Sequence, residues 1–209
     1  MRCVMMVNSS GPRDECFAKN GRAAANPSAT RARMRGLWLP FHVAQPCCKD
    51  KSMYDVLTVA DAILKIAKKH GQFLTPMQLV KLTYIAHGWS LGLRARALFH
   101  NRIEAWQYGP VIPDLYHATK SWGRSPIESS AIGDADDIRV APEDRRFLEN
   151  VFERYKHLDG IALSYITHQA GTPWTQVYRS GSWGTPIPNH LIAQHYQELR
   201  ERDATELAA

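Results

Sequence analysis

Eight histidines stand between Met53 and the C-terminus: His70, His87, His100, His117, His157, His168, His190 and His195. Imidazole titrates near neutrality, so any two of them, joined by Glu104 or an aspartate, could form an acid–base pair or a metal site. Hydrolysis built on Glu104, His87 and His168 is the chemistry such a set would serve. No spacing selects a pair, however, and no paired-His motif can be drawn on a helix face. A Gly-rich phosphate loop and a nucleophile elbow are missing too, and all four cysteines (Cys3, Cys16, Cys47, Cys48) precede Met53. The common covalent and dinucleotide-dependent enzymes are thereby disfavoured, and no catalytic residue, cofactor or metal is expected.

The aromatic side chains point to a different chemistry, that of contact. Of the tryptophans after Met53, Trp89, Trp106, Trp122 and Trp174 have neighbours that could place them in a core, whereas Trp183 sits among Gly181, Ser182 and Gly184 with no helical face to pack on. Trp and Arg are enriched where partners bind. His168 stands just ahead of Gly171, Pro173 and Trp174, and Arg179 lies between the last two tryptophans, so His168, Trp174, Arg179 and Trp183 form the candidate partner-binding set. The competing reading has Trp174 tying a short helix to the core and Trp183 covering an exposed edge.

The elements that must position these residues begin late in the chain. A length of 209 residues suits one domain with an appendage. Residues 8–36 are rich in Ser, Gly, Pro, Asn, Ala and Arg and hold too few large apolar side chains to offset the entropy of ordering them. Residues 1–52 are therefore expected to be a disordered, nonfunctional extension, with Met53 as an alternative translation start. The apolar run Val4–Val7 is too short for a secretory signal, and Gly11, Pro12, Gly21 and Pro27 break the amphipathic helix a mitochondrial presequence needs.

Of the 26 basic and 20 acidic side chains, nine and three precede Met53, so the net charge of +6 belongs to the extension and the remainder is balanced. The alternative function, a nucleic-acid-binding autoregulator that represses its own operon, is weakened by this balanced surface, because such binding rests on a basic field. No run approaches the ~18 apolar residues of a membrane helix. The cysteine-free body needs no disulfide framework, which fits a reducing, cytoplasmic setting.

From Val56 the apolar residues recur at helical spacing until Gly71. A second helix starts with Thr75 as cap, Pro76 at its first position and Gln78 completing a capping box, and Gly92 is its expected stop. An extended arm or small hairpin is expected over Ala97–Trp106, then a turn at Gly109, Pro110 and Pro113, then a helix to Trp122 that Gly123 ends. Pro142, Glu143 and Asp144 open another helix, which Gly160 should close. Short helices over 162–169 and 173–178, a loop over 181–188 and a last helix from Asn189 complete a mainly α, compact helical domain.

The run Lys81-Leu82-Thr83-Tyr84-Ile85-Ala86-His87-Gly88-Trp89, then Leu98-Phe99, then Ile103-Glu104-Ala105-Trp106-Gln107-Tyr108-Gly109-Pro110-Val111-Ile112-Pro113 with Leu115-Tyr116, resembles the Panacea antitoxin domain, the SocA-like family. Ser164, Thr167-His168 and Gly171-Thr172-Pro173-Trp174 extend the likeness, which covers about residues 54–199. The resemblance implies a non-enzymatic antitoxin of bacterial or prophage operons that neutralises a cognate protein toxin by direct contact. Occlusion of the toxin and its delivery to a protease both remain open, and the family also includes phage-associated proteins. It implies no catalytic residue, and the matched His87, Trp89, Glu104, Trp106, Tyr108, Gly109, Pro110 and Tyr116 are read as structural.

Overall fold

The computed structural model describes residues 53–127, 132 and 140–208, the last three without their side chains. The expected extension over 1–52 lies outside the described residues. Those described form seven α-helices and a small antiparallel sheet. The helices are α1 (Val56–Lys69), α2 (Pro76–Arg94), α3 (Pro113–Thr119), α4 (Pro142–Tyr155), α5 (Gly160–Thr167), α6 (Pro173–Val177) and α7 (Asn189–Ala208), and the strands are β1 (Glu104–Trp106), β2 (Gly109–Val111) and β3 (Thr185–Pro186).

Helix α2 is the centre. Its start is the expected capping box, with the Thr75 hydroxyl accepting from the Gln78 amide and the Gln78 side chain accepting from the Thr75 amide. Residues 79–92 are buried on every side, as befits a helix with packing partners all round. Helices α1, α4, α5 and α7 pack against it.

Gly92 does not end α2; the helix runs to Arg94 and stops where Ala95 turns left-handed at φ 49°. The glycines at 88 and 92 serve packing instead. A Cβ on Gly88 would lie 2.1 Å from the Tyr196 ring, and one on Gly92 would lie 2.7 Å from Tyr196 Cβ and 2.8 Å from its backbone carbon. Mid-helix glycine costs about 1 kcal/mol, and here it lets α7 lie against α2. Trp89 completes this contact edge-on to Tyr196, with its indole N–H donating to the Tyr155 hydroxyl at 2.9 Å.

Helix α4 opens at Pro142 as its sequence suggests. Asp144 has a second role, because its carboxylate is fully buried and receives the guanidiniums of Arg94 and Arg96 and the Tyr54 hydroxyl. Burial alone would raise its pKa; the Tyr54 hydrogen bond and the two arginines outweigh that and hold it below the usual carboxylate value. The cluster fastens the α2 C-terminus to the start of α4, while Tyr54 and Phe99 bridge the segments before α1 and after α2. Gly160 does not close α4, which is capped at Lys156; it is the first residue of α5, whose N-cap Asp159 accepts from the Ala162 amide.

The extended arm is a hairpin shifted along the chain from its expected place. Its turn is Gln107-Tyr108, and Gly109 and Pro110 belong to β2, not to a turn. The register pairs Glu104 with Val111, Ala105 with Pro110 and Trp106 with Gly109. The loop over 181–188 holds β3, which pairs antiparallel with β1 on its other side, so the sheet order is β2-β1-β3. Proline at 110 is tolerated because β2 lies on the sheet edge.

Candidate functional site

The hairpin is held from beneath by Lys81, a lysine on the buried α2 with only 2% of its surface exposed. Its ammonium donates to the carbonyls of Tyr108 (2.6 Å) and Pro110 (3.0 Å), and the Ser164 hydroxyl donates to the same Tyr108 carbonyl at 3.1 Å. Burial pulls the Lys81 pKa down to about 7. Gly109, at φ +97°, lies so close to this lysine that a Cβ would stand 2.5 Å from its Nζ and 2.7 Å from His168 Cε1. Both the backbone conformation and the space demand glycine.

Trp106, half-buried, donates its indole N–H to Glu104 Oε2 at 2.8 Å, and Glu104 in turn binds Arg102 at 2.9 Å. Tyr116 of α3 meets Trp106 edge-on at 4.9 Å. Trp174 of α6 donates to the Trp106 carbonyl at 2.8 Å, which ties α6 to the hairpin. Against Trp174 lie the Tyr178 ring, stacked at 4.5 Å, and the His168 ring at 4.1 Å; the latter is oriented by a 2.6 Å bond between its Nδ1 and the Ser164 carbonyl. The Arg179 guanidinium turns back on the α6 C-terminus and donates to the carbonyls of Gln176 and Tyr178. Trp183 is 86% exposed, with its ring 6.1 Å from that of Trp106. The glycines beside it, Gly181 at φ +82° and Gly184 at φ +66°, carry the chain out and back.

Trp106, Tyr116, Tyr178 and Trp183 border a cleft of about 620 Å³, within the 300–1,000 Å³ common for binding pockets. Met77, Val80 and Lys81 of α2, Trp106 and Tyr108 of the hairpin, Tyr116 and Lys120 after it, and Tyr178 with residues 180–183 line the space. The hairpin motif and the 174–183 segment, distant in sequence, thus share one cleft. Of the candidate partner-binding set, Trp183 is on the rim and exposed, Arg179 flanks it, and Trp174 and His168 are half-buried supports behind the hairpin.

The acid–base set does not gather around a common point. His87 is buried between the Phe99 ring (4.1 Å) and Asn189 Oδ1 (3.1 Å), and burial lowers its pKa to about 4. Glu104 is taken by Trp106 and Arg102, and His168 by Ser164 and Trp174. No group of three or more His, Cys, Asp or Glu side chains suited to a metal occurs among the described residues. Lys81 is not among the expected site residues, although a lone lysine amid Leu79, Val80 and Leu82 signals a buried amine.

The cleft is thus bordered by aromatic rings on a hairpin that Lys81 and Trp174 hold through hydrogen bonds. Residues 79–175 match the family described as "Antitoxin SocA-like, Panacea domain". The chain is also similar to the Antitoxin SocA of Caulobacter vibrioides (strain NA1000 / CB15N), 28% identical over 137 residues that cover 62% of this chain and 73% of that relative. No solved structure matches. No described helix is long and apolar enough to cross a membrane.

Proposed function

We propose that this chain is the antitoxin of a toxin–antitoxin pair and that it neutralises a cognate protein toxin by direct contact, without catalysis. The toxin docks on the cleft bordered by the hairpin and the 178–183 segment. The observation that carries this reading is that cleft: Tyr108 on a hairpin fixed by Lys81 and Trp174, Tyr116 on α3 and Trp183 in the loop before β3 expose rings around it. Exposed aromatic clusters of this kind are where partners bind most tightly. The family description and the name of the Caulobacter relative support the same role.

Residues 53–209 form the functional unit in this reading, and the absence of cysteine after residue 48 leaves it free to work in the reducing cytoplasm. Expressing the product of the adjacent reading frame alone and together with this chain tests the proposal. Growth arrest relieved by co-expression, with the two proteins co-eluting after purification, is the expected result. A harmless neighbour, or a toxic one that this chain neither relieves nor binds, refutes it.

A further inference from the structure

Lys81 is a buried cation whose contacts are all neutral. Two of its three N–H donors are used on the carbonyls of Tyr108 and Pro110. Among the described residues no carboxylate pairs with it, and it lines the cleft. Burying a charge without a counter-charge is costly, so the position is one that an anion entering from the cleft would relieve. Lys120, exposed and also without a described carboxylate partner, lines the same cleft. Among the described residues, no acidic side chain does so. Glu104, bonded to the Trp106 indole, is already neutralised by Arg102. Apart from the polar but uncharged Gln107, Ser180 and Ser182, the remaining lining is glycine, aromatic or apolar, with Trp106, Tyr116, Trp183, Met77 and Val80 among it.

We propose that the cleft receives a short linear segment of the toxin in which a carboxylate side chain neighbours an aromatic or large apolar one. The carboxylate lies against Lys81 and Lys120, and the apolar side chain lies between Trp106, Tyr116 and Trp183. The identity of the partner rests on the antitoxin reading above; the chemistry of the segment rests on the unmatched lysines and the rings.

The test uses random dodecapeptides displayed on phage and selected on the full chain. Enriched sequences should place Asp or Glu within a few positions of Trp, Phe or Leu. Their synthetic forms should lose tenfold or more in affinity on Lys120→Glu, on Trp183→Ala, and on Asp→Asn or Glu→Gln in the peptide. Both protein variants alter exposed positions, and circular dichroism verifies that they fold. No enrichment, enrichment without acids, unchanged affinity in the variants, or displacement of the peptides by inorganic phosphate or N-acetyl-aspartate at equal concentration overturns the proposal. The toxin then separates the two readings. A toxin that binds the chain without displacing the peptides overturns the cleft assignment and leaves the antitoxin reading standing. A neighbouring gene product that fails to bind while the peptides do overturns the antitoxin reading alone.

Discussion

Replacing Gly109 by alanine isolates the junction on which the hairpin depends. Two costs add. The residue sits at φ +97°, where a Cβ is strained by about 1–3 kcal/mol. The new methyl would also lie 2.5 Å from Lys81 Nζ and 2.7 Å from His168 Cε1. Neither neighbour yields freely, because Lys81 is tied to two carbonyls and His168 is held by Ser164 and Trp174. Overpacking of this kind costs a further 1–3 kcal/mol or so, giving about 2–6 kcal/mol in all, or a fall in melting temperature of roughly 5 °C or more. Gly171→Ala is the matched control, since Gly171 has φ +82° but nothing within 4 Å of its Cβ position, and strain alone should cost about 1–3 kcal/mol. Urea denaturation of both variants supplies the comparison. If Gly109→Ala costs no more than Gly171→Ala, the close approach of Lys81 and His168 to the hairpin is wrong.

Asp144→Ala leaves Arg94 and Arg96 without their carboxylate and should cost about 3–5 kcal/mol in urea unfolding. Because the folded pKa of Asp144 is depressed, its contribution is whole above the unfolded value of ~3.9 and is lost as pH falls through the folded value, so the gap between wild type and Asp144→Asn should narrow below about pH 4. Lys81 has the opposite dependence: with a folded pKa of about 7, the unfolded chain binds more protons between there and ~10.4, and stability rises with pH in that window. Relative to Lys81→Met, the wild type should gain about 3 kcal/mol between pH 7 and 9.5, and a flat difference would contradict the burial of the ammonium. Trp106→Ala removes the indole that binds Glu104 and packs on Tyr116, and should cost about 3 kcal/mol by thermal unfolding. A chain starting at Met53 should match the full chain in melting temperature.

Local signals were readable wherever one segment decides its own structure. The Thr75–Gln78 capping box, Pro142 at the head of α4 and Pro173 at the head of α6 state their roles within a few residues. Glycine was harder to read because it serves several purposes. Gly92 makes room for Tyr196, which lies about a hundred positions later, and Gly160 starts a helix that its neighbour Asp159 caps. Strand β3 is two residues long and exists only because β1 offers a free edge. The cleft follows the same rule: Trp183 could be recognised as unusual and Trp106 as part of a structural motif, but their proximity depends on the Trp174 bond to the hairpin and on β3. Asp144 was readable only as an acidic residue opening α4, and its burial depends on Arg94, Arg96 and Tyr54, which the sequence does not place beside it.

The central claim is that a toxin is held at the aromatic cleft, and the most direct measurement is the affinity of the toxin for the wild-type chain and for Trp183→Ala. Trp183 is 86% exposed, so its removal should leave the unfolding midpoint unchanged while weakening toxin binding by about 1–4 kcal/mol. An intact fold with undiminished affinity would contradict the account.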